Sequence, residues 1–404
     1  MITIGIDPSR KSFCASFTEN MIEFDYQEYE NSPRGFEKVL KKIKSFKTDP
    51  VICIEGYGDF AKQLAIYLKS HNIKVYEINP KKSSRLKESI TEHKTDHIDA
   101  FTCSLFPYFN KNIEDLSIDM RIEGLKNLCR LYTKTSKSVT KFKNQLHAAL
   151  NQGFGQVYKE FFKKFNKTSL NFFIQFGSFE EIENASVEEI HNCLKKSGSC
   201  MYKGNNGRKL SNKIKEIVDK MNYHPLIEFE GIQSEVVKSY SKILLTIQKN
   251  VESIKKSIEK YVNNYFPSFQ DIFSDLKGIS SLQFGRMISE IRDINMFKTE
   301  AKLAAYCGQA PRRFQSGEND KELKRNSYNR HLAHIIHMIG CSNIRKGDRF
   351  YNDYCEMKKK YNKKLRALKN IKRKIIRLLF YKLKYYMKQL EKKHALKGSF
   401  FNAA

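Results

Sequence analysis

The chain opens MITIGIDPSRKSFCASFTENMIEFDYQEYE, residues 1–30, and this stretch decides the fold. Ile2-Thr3-Ile4-Gly5-Ile6-Asp7 is a short apolar run closed by an acid, the pattern of a buried strand. Phe13 to Phe17 and Ile22 to Tyr29 carry short alternating patterns on either side of the polar joint Thr18-Glu19-Asn20. Together the three runs predict a three-stranded meander. Working outward, Ser32-Pro33 starts an amphipathic helix to about Phe46, with Phe36, Val39, Leu40 and Ile43 at helical spacing. Val51 to Glu55 is a further apolar strand ending in an acid, Phe60 to Leu68 a helix, and Lys74 to Ile78 a strand. A basic stretch, Lys81 to Lys87, precedes a helix from about Asp96. The order βββαβαβα predicts an α/β domain over residues 1–115, a mixed sheet with helices on its faces.

The remainder reads as mostly α-helical. Residues 116–270 form a helical, coiled-coil region. It holds long helices at 116–150 and 234–263, able to pair as an antiparallel hairpin, and a basic insertion with the Gly/Asn-rich loop Lys203 to Arg208. Residues 271–355 form a helical unit with a polar loop from Pro311 to Lys324, and 356–404 a basic helical tail.

Lys and Arg number 73 against 44 Asp and Glu, a net charge of +29 that exceeds what solubility needs. Such a surplus favours polyanions, because binding them releases counterions from phosphates. The apolar fraction of 40% excludes a disordered chain. No apolar run is long enough to span a bilayer, the start lacks signal-peptide character, and the nine Cys are scattered. A cytoplasmic, nucleoid-associated protein with reduced thiols and no membrane partner is the expectation.

Four acids carry the chemistry. Asp7 ends the first strand, Glu55 ends the fourth, and Asp96 and Asp99 stand three apart at the start of a helix, where they share a face. Strand ends of such a sheet converge on one edge, so the four carboxylates predict a dense negative pocket. Mg²⁺ or Mn²⁺, hard ions that prefer oxygen, would satisfy it. Two such ions about 4 Å apart would clamp a phosphodiester. Each acid alone is also what an ordinary strand or helix end carries. Asp25, Asp59 and Glu77 are weaker competitors. His331, His334 and His337 recur on one helix, but no Cys or acid completes a zinc set.

At this point the residues resemble a family. The acid pattern is that of the RNase H-like fold and, within it, the RuvC-like Holliday-junction resolvase site. Lys277-Gly278-Ile279-Ser280, Ile288-Ser289-Glu290-Ile291, Leu303 to Gly308, Ala310-Pro311, Gln315-Ser316-Gly317 and Asn329-Arg330-His331-Leu332 resemble the second domain of DEDD-type insertion-sequence transposases, relatives of Piv-like site-specific recombinases. The resemblance covers about 1–150 and 271–380. It implies cutting and rejoining of DNA, with divalent metal on Asp7, Glu55, Asp96 and Asp99 and with Ser316 as nucleophile. A Ser followed by Gly also leaves the backbone free to approach a phosphate, though the same pair is a common turn. Gly278, Arg312, Arg313, Gly317 and Arg330 are the expected nucleic-acid contacts, Arg312 and Arg313 because guanidinium holds phosphate in two-pronged fashion. Related members are guided by a structured RNA, which suits the charge. A homo-oligomer, dimer or tetramer, is expected, with the long helices as contacts. The alternatives are a structure-selective RuvC-like endonuclease that cuts with water, and an inactive nucleic-acid-binding copy.

Overall fold

The computed structural model describes the chain apart from residues 57, 111–112, 114–115, 117, 198–203, 221–230, 311, 317–318, 324–326 and 397–404. The chain divides into two compact units, Met1–Asp119 and Met120–Ala404.

The first unit runs β1 (Ile2–Pro8), β2 (Ser12–Glu19), β3 (Ile22–Glu30), α1 (Pro33–Lys44), β4 (Val51–Glu55), α2 (Asp59–Ser70), β5 (Val75–Ile78), α3 (Pro80–Glu88) and α4 (Asp96–Phe109). Its sheet has the order β3-β2-β1-β4-β5. β1, β2 and β3 form the antiparallel meander, and β4 and β5 continue parallel to β1. The β2–β3 turn places Asn20 and Met21 at positive φ, the backbone of a tight two-residue hairpin. Ser32 caps α1 by accepting from the Gly35 amide, and Pro33 sits in its first turn.

Alternation along the strands sorts the two faces. Ile4, Ile6, Ile52 and Ile54 point to a core shared with Phe36, Val39, Leu64 and Leu68 of α1 and α2. Cys53 and Ile78 face the other way, onto Cys103 and Phe106 of α4. The helix α4 lies very close to the sheet. A Cβ on Gly5 would stand 2.0 Å from the Ala100 carbonyl oxygen and 2.2 Å from the Ser104 amide nitrogen. Only glycine lets the helix backbone rest on β1. The Ser104 and Thr18 hydroxyls, 2.6 Å apart, pin the same helix over β2.

The second unit is helical apart from one hairpin. It comprises α5 (Met120–Phe154), α6 (Tyr158–Phe161), α7 (Lys167–Gln175), α8 (Phe179–Asn184), α9 (Val187–Lys196), α10 (Asn205–Lys220), α11 (Ile232–Tyr265), α12 (Phe269–Phe273), α13 (Ser281–Ile291), α14 (Glu300–Tyr306), β6 (Arg312–Ser316), β7 (Asn319–Leu323), α15 (Arg330–Ser342), α16 (Tyr351–Tyr361) and α17 (Lys364–Leu396). α5 and α11 pair antiparallel. Gln233 at the start of α11 donates to the Ala149 carbonyl near the end of α5 (2.7 Å), and Tyr261 near the end of α11 donates to the Arg121 carbonyl at the start of α5 (3.0 Å). A Phe-rich core with α6 to α10 surrounds one end of this hairpin. A second core, with Phe284, Ile335, Ile375 and Leu379, surrounds the other. No disulfide forms among the described cysteines.

The structure departs from the sequence reading in four places. The basic stretch after β5 is the helix α3, with Asn79 accepting from the Lys81 amide and Pro80 at its first position; it buries only Ser83, so it has no apolar stripe to announce it. Residues 205–208 of the expected basic loop begin α10, where Gly207 and Ser211 are buried; Lys203 lies outside the described residues. The polar loop after Pro311 is the hairpin β6–β7, whose strands carry one apolar residue each, Phe314 and Leu323, too few to give an alternating pattern. The basic helical tail expected from 356 is two helices, α16 and α17, parted at Asn362 with φ +47°. Asparagine tolerates that conformation better than other side chains.

Gly5→Ala forces a methyl into the backbone of α4. We expect it to destabilise the first unit by about 3 kcal/mol, read as a lower melting temperature in calorimetry. An unchanged transition would show that α4 does not rest on β1.

Candidate active site

Register sets the first two acids side by side. Ile6 of β1 is level with Ile54 of β4, and one residue further on stand Asp7 and Glu55. Both share the face of Gly5 and Cys53, which α4 covers. Thr95 caps α4, its hydroxyl accepting from the Ile98 amide at 3.2 Å. The first turn of α4 then carries Asp96, exposed, and Asp99, buried. Because Gly5 draws α4 down onto β1, this turn is brought to the sheet edge that bears Asp7 and Glu55.

The acids respond to one another. The Asp7 carboxyl is pushed up to about 6, first by burial and then by the negative charges of Glu55, Asp99 and Asp96. Burial and the Asp99 charge likewise push Glu55 above its usual range, against the opposing pull of Lys87, a hydrogen bond from Ser83 and the charge of Lys94. Lys87 of α3 donates to Asp99 Oδ1. That hydrogen bond, with the charges of Asp99, Glu55 and Asp7, outweighs burial and holds the ammonium protonated above its usual range. Among the described residues, no three Asp, Glu, His or Cys side chains close into a metal-holding group. The four carboxylates share one field, and Lys87 partly compensates it.

Lys87 was not singled out by sequence. It is one of several cations in Lys81 to Lys87, and only the helical phase of α3 selects it. Glu23 was also missed. It accepts from the Ser16 hydroxyl at 2.5 Å and lies 2.8 Å from His97 Nε2, so it ties the start of α4 to β3. His97 also packs on Tyr26, with ring centroids 4.2 Å apart. Among the weaker competitors, Asp25 pairs with Lys42 of α1 at 2.8 Å, a partner that accounts for its charge without a ligand.

The remaining predicted residues belong to the second unit. Ser316 ends β6 opposite Asn319, with Arg312 opposite Leu323 and Arg313 opposite Glu322. Gly317 lies outside the described residues. Gly278 has φ +87°, and a depression beside it is lined by Lys277, Arg345 and Lys346 together with Ser342 and Asp348. Asn343 fixes this turn. It accepts from the Lys277 amide (3.0 Å) and donates to the Lys277 carbonyl (2.8 Å). Ser280, at the third position of the Gly-Ile-Ser triplet, caps α13 by accepting from the Gln283 amide at 3.3 Å. Arg330 is exposed at the first position of α15. His331 and His334 are depressed below the usual histidine range, first by burial and then by neighbouring cations, Arg286 and Lys137 in both cases. His331 also feels the opposing charge of Glu290, and His337 Nε2 lies 3.6 Å from Cys341 Sγ.

The sheet order, the acids at the ends of β1 and β4 and the pair on α4 define an RNase H-like domain followed by a helical unit. Two family models match the chain. A DEDD transposase model of the IS110 type matches residues 4–155, and a model described as transposase IS116/IS110/IS902 family matches residues 270–355. Together they cover more than half of the chain. The chain belongs to the IS110 family of DEDD-type insertion-sequence transposases, enzymes that act on DNA. No curated protein sequence matches it. No described helix is long and apolar enough to cross a membrane.

A carboxyl raised in the folded state holds its proton more tightly there than in the unfolded chain. Its contribution to stability is therefore lost as pH rises from about 4 to about 6. Asp7→Asn removes this loss. In the absence of divalent cations we expect Asp7→Asn to raise stability at pH 7–8 by about 1 kcal/mol, allowing for solvent screening. The gain should vanish below pH about 4. Thermal unfolding across this range, with chelator present, checks both limbs.

Proposed function

We propose that the protein cuts and rejoins DNA through Asp7, Glu55, Asp96 and Asp99 as divalent-cation ligands and Ser316 as nucleophile. The observation that carries this reading is that Asp7 and Glu55 stand side by side at the ends of β1 and β4, half-buried and within the field of Asp99 and Asp96. An all-oxygen donor set with excess negative charge fits Mg²⁺ or Mn²⁺. Bound there, such an ion would neutralise phosphate charge and make the phosphorus easier to attack. Asp7, Glu55, Asp96 and Asp99 are the carboxylates that would hold it. Lys87 holds Asp99 in place and limits the repulsion among the acids.

Ser316 Oγ forms a bond to phosphorus as a deoxyribose oxygen leaves. Net, the proton lost by the serine is the one gained by the departing deoxyribose hydroxyl. The phosphodiester energy is kept in the protein–DNA link, so a second DNA hydroxyl can reverse the step on a new partner and free Ser316. The backbone turn at Gly278, with Lys277, Arg345 and Lys346, and the cations Arg312, Arg313 and Arg330 hold the DNA backbone. The net charge of +29 leaves room for a second polyanion, a structured RNA that selects the DNA. Leu131 on α5 and Ile243 on α11, both exposed, are the surface we assign to self-association.

A second reading is favoured by one observation: all four acids come from the first unit. On that reading water attacks, Ser316 is idle, and the protein is a RuvC-like endonuclease. Denaturing gels of the full chain with duplex DNA drawn from the flanks of its own gene separate the two. We expect a covalent adduct in Mg²⁺ that is absent in Ser316→Ala, and a loss of cleavage of at least about a thousandfold in Asp7→Asn and Asp99→Asn. Cleavage without an adduct, unaffected by Ser316→Ala, would establish the water route. Titration calorimetry with Mn²⁺ should lose its heat in the double variant Asp96→Asn, Asp99→Asn.

A further inference from the structure

We infer that Glu290 is a positioning residue that locks the base of the hairpin carrying Ser316, by tying together the two points where that hairpin leaves and rejoins the helical unit. The inference rests on the serine reading above for its bearing on catalysis, though not for its geometry.

Tyr306 is the last residue of α14, and Asn329 immediately precedes α15. Everything between them, β6 and β7 included, leaves and returns through this pair. The Asn329 amide donates to the Tyr306 carbonyl at 2.9 Å. The Asn329 side-chain amide donates to the Tyr306 hydroxyl at 3.0 Å and to Glu290 Oε2 at 2.8 Å. The Tyr306 hydroxyl in turn donates to the Glu290 main-chain carbonyl at 3.2 Å. Asn329 Oδ1 meanwhile caps α15 through the Leu332 amide at 2.9 Å. Arg130 of α5 completes the set with a two-pronged contact to the Glu290 carboxylate, at 2.9 and 3.1 Å. Just beyond Tyr306, Gly308 has φ +70° and lies against the Tyr328 ring, to which a Cβ would come within 2.7 Å. Arg373 of α17 then holds the next carbonyl, that of Gln309, at 2.8 Å.

Glu290 is only 3% exposed, in a helix whose neighbours Met287, Ile288 and Ile291 are core. A buried charge is a poor way to gain stability, since a well-packed apolar residue of similar volume does as well or better. What the carboxylate supplies is direction: it accepts from α5 and from the hairpin root at once. Burial opposes its ionisation, yet the hydrogen bonds from Arg130 and Asn329 and the charges of Arg130 and Lys126 bring its carboxyl below the usual range. The lock is therefore charged and satisfied.

Hydrogen–deuterium exchange on the full chain tests the inference, with Glu290→Gln and the gentler Tyr306→Phe. Losing hydrogen bonds of this kind should speed exchange of residues 312–323 by about tenfold. The first unit and the later turns of α15 should stay as in the wild type. With the same flanking duplex, the maximal rate of adduct formation should fall by about tenfold, while the DNA concentration giving half-saturation is unchanged. If Glu290→Gln does not fold, Tyr306→Phe carries the same expectations. Unchanged hairpin exchange, or acceleration spread evenly over the second unit, would overturn the lock. So would a shifted half-saturation at an unchanged maximal rate. Ser316→Ala separates this from the serine reading: an adduct that survives it overturns the nucleophile, while the exchange of residues 312–323 still decides the lock.

Discussion

A helix backbone laid directly on a strand is the contact on which the gathering of the first unit's acids depends. Gly5 removes the side chain that would hold α4 away, and the Ala100 carbonyl and Ser104 amide fill that space. Closeness here is specific to one register. One strand residue past Ile6 and Ile54, and one helical turn at the start of α4, four carboxylates enter a common field. A bulkier residue at position 5 would lift the helix and disperse the charges. The packing of the sheet and the electrostatics of its edge are thus one feature.

Both units set a buried acid against a cation beside residues assigned to DNA chemistry. In the first, Asp99 takes the ammonium of Lys87. In the second, Glu290 takes the guanidinium of Arg130. The cations differ in kind. Lysine is a compact point charge on a flexible stem, suited to compensating a field and to yielding. Arginine is a rigid fork, suited to fixing orientation. The first pair sits in the field of the other acids of the proposed site, the second at the root of the β6–β7 hairpin.

Legibility in the sequence followed periodicity. Asp7 and Glu55 could be read because short apolar strands end visibly, and Asp96 and Asp99 because an i, i+3 pair defines a helix face. The meander, the long helices and their pairing came from the same rule. The hairpin β6–β7 was not readable, because one apolar residue per strand, Phe314 and Leu323, among Arg, Gln, Ser, Asn, Asp, Lys and Glu gives no alternation to mark an inward face. Lys87 was hidden among equals, on a helix with almost no buried side chain. Glu290 left one trace, a lone acid within the apolar run from Met287 to Ile291; its partners come from positions 130, 306 and 329, which no local pattern connects.

Lys87 also bears on how a cation would enter. Its ammonium already occupies Asp99 Oδ1 and stands in the field of Glu55 and Asp7. On the metal reading proposed above, a dication taking Asp99 would have to displace this ammonium as well as lose water. The freed ammonium would then be available to a phosphate oxygen, so on that reading cation and DNA would favour each other's binding through one side chain.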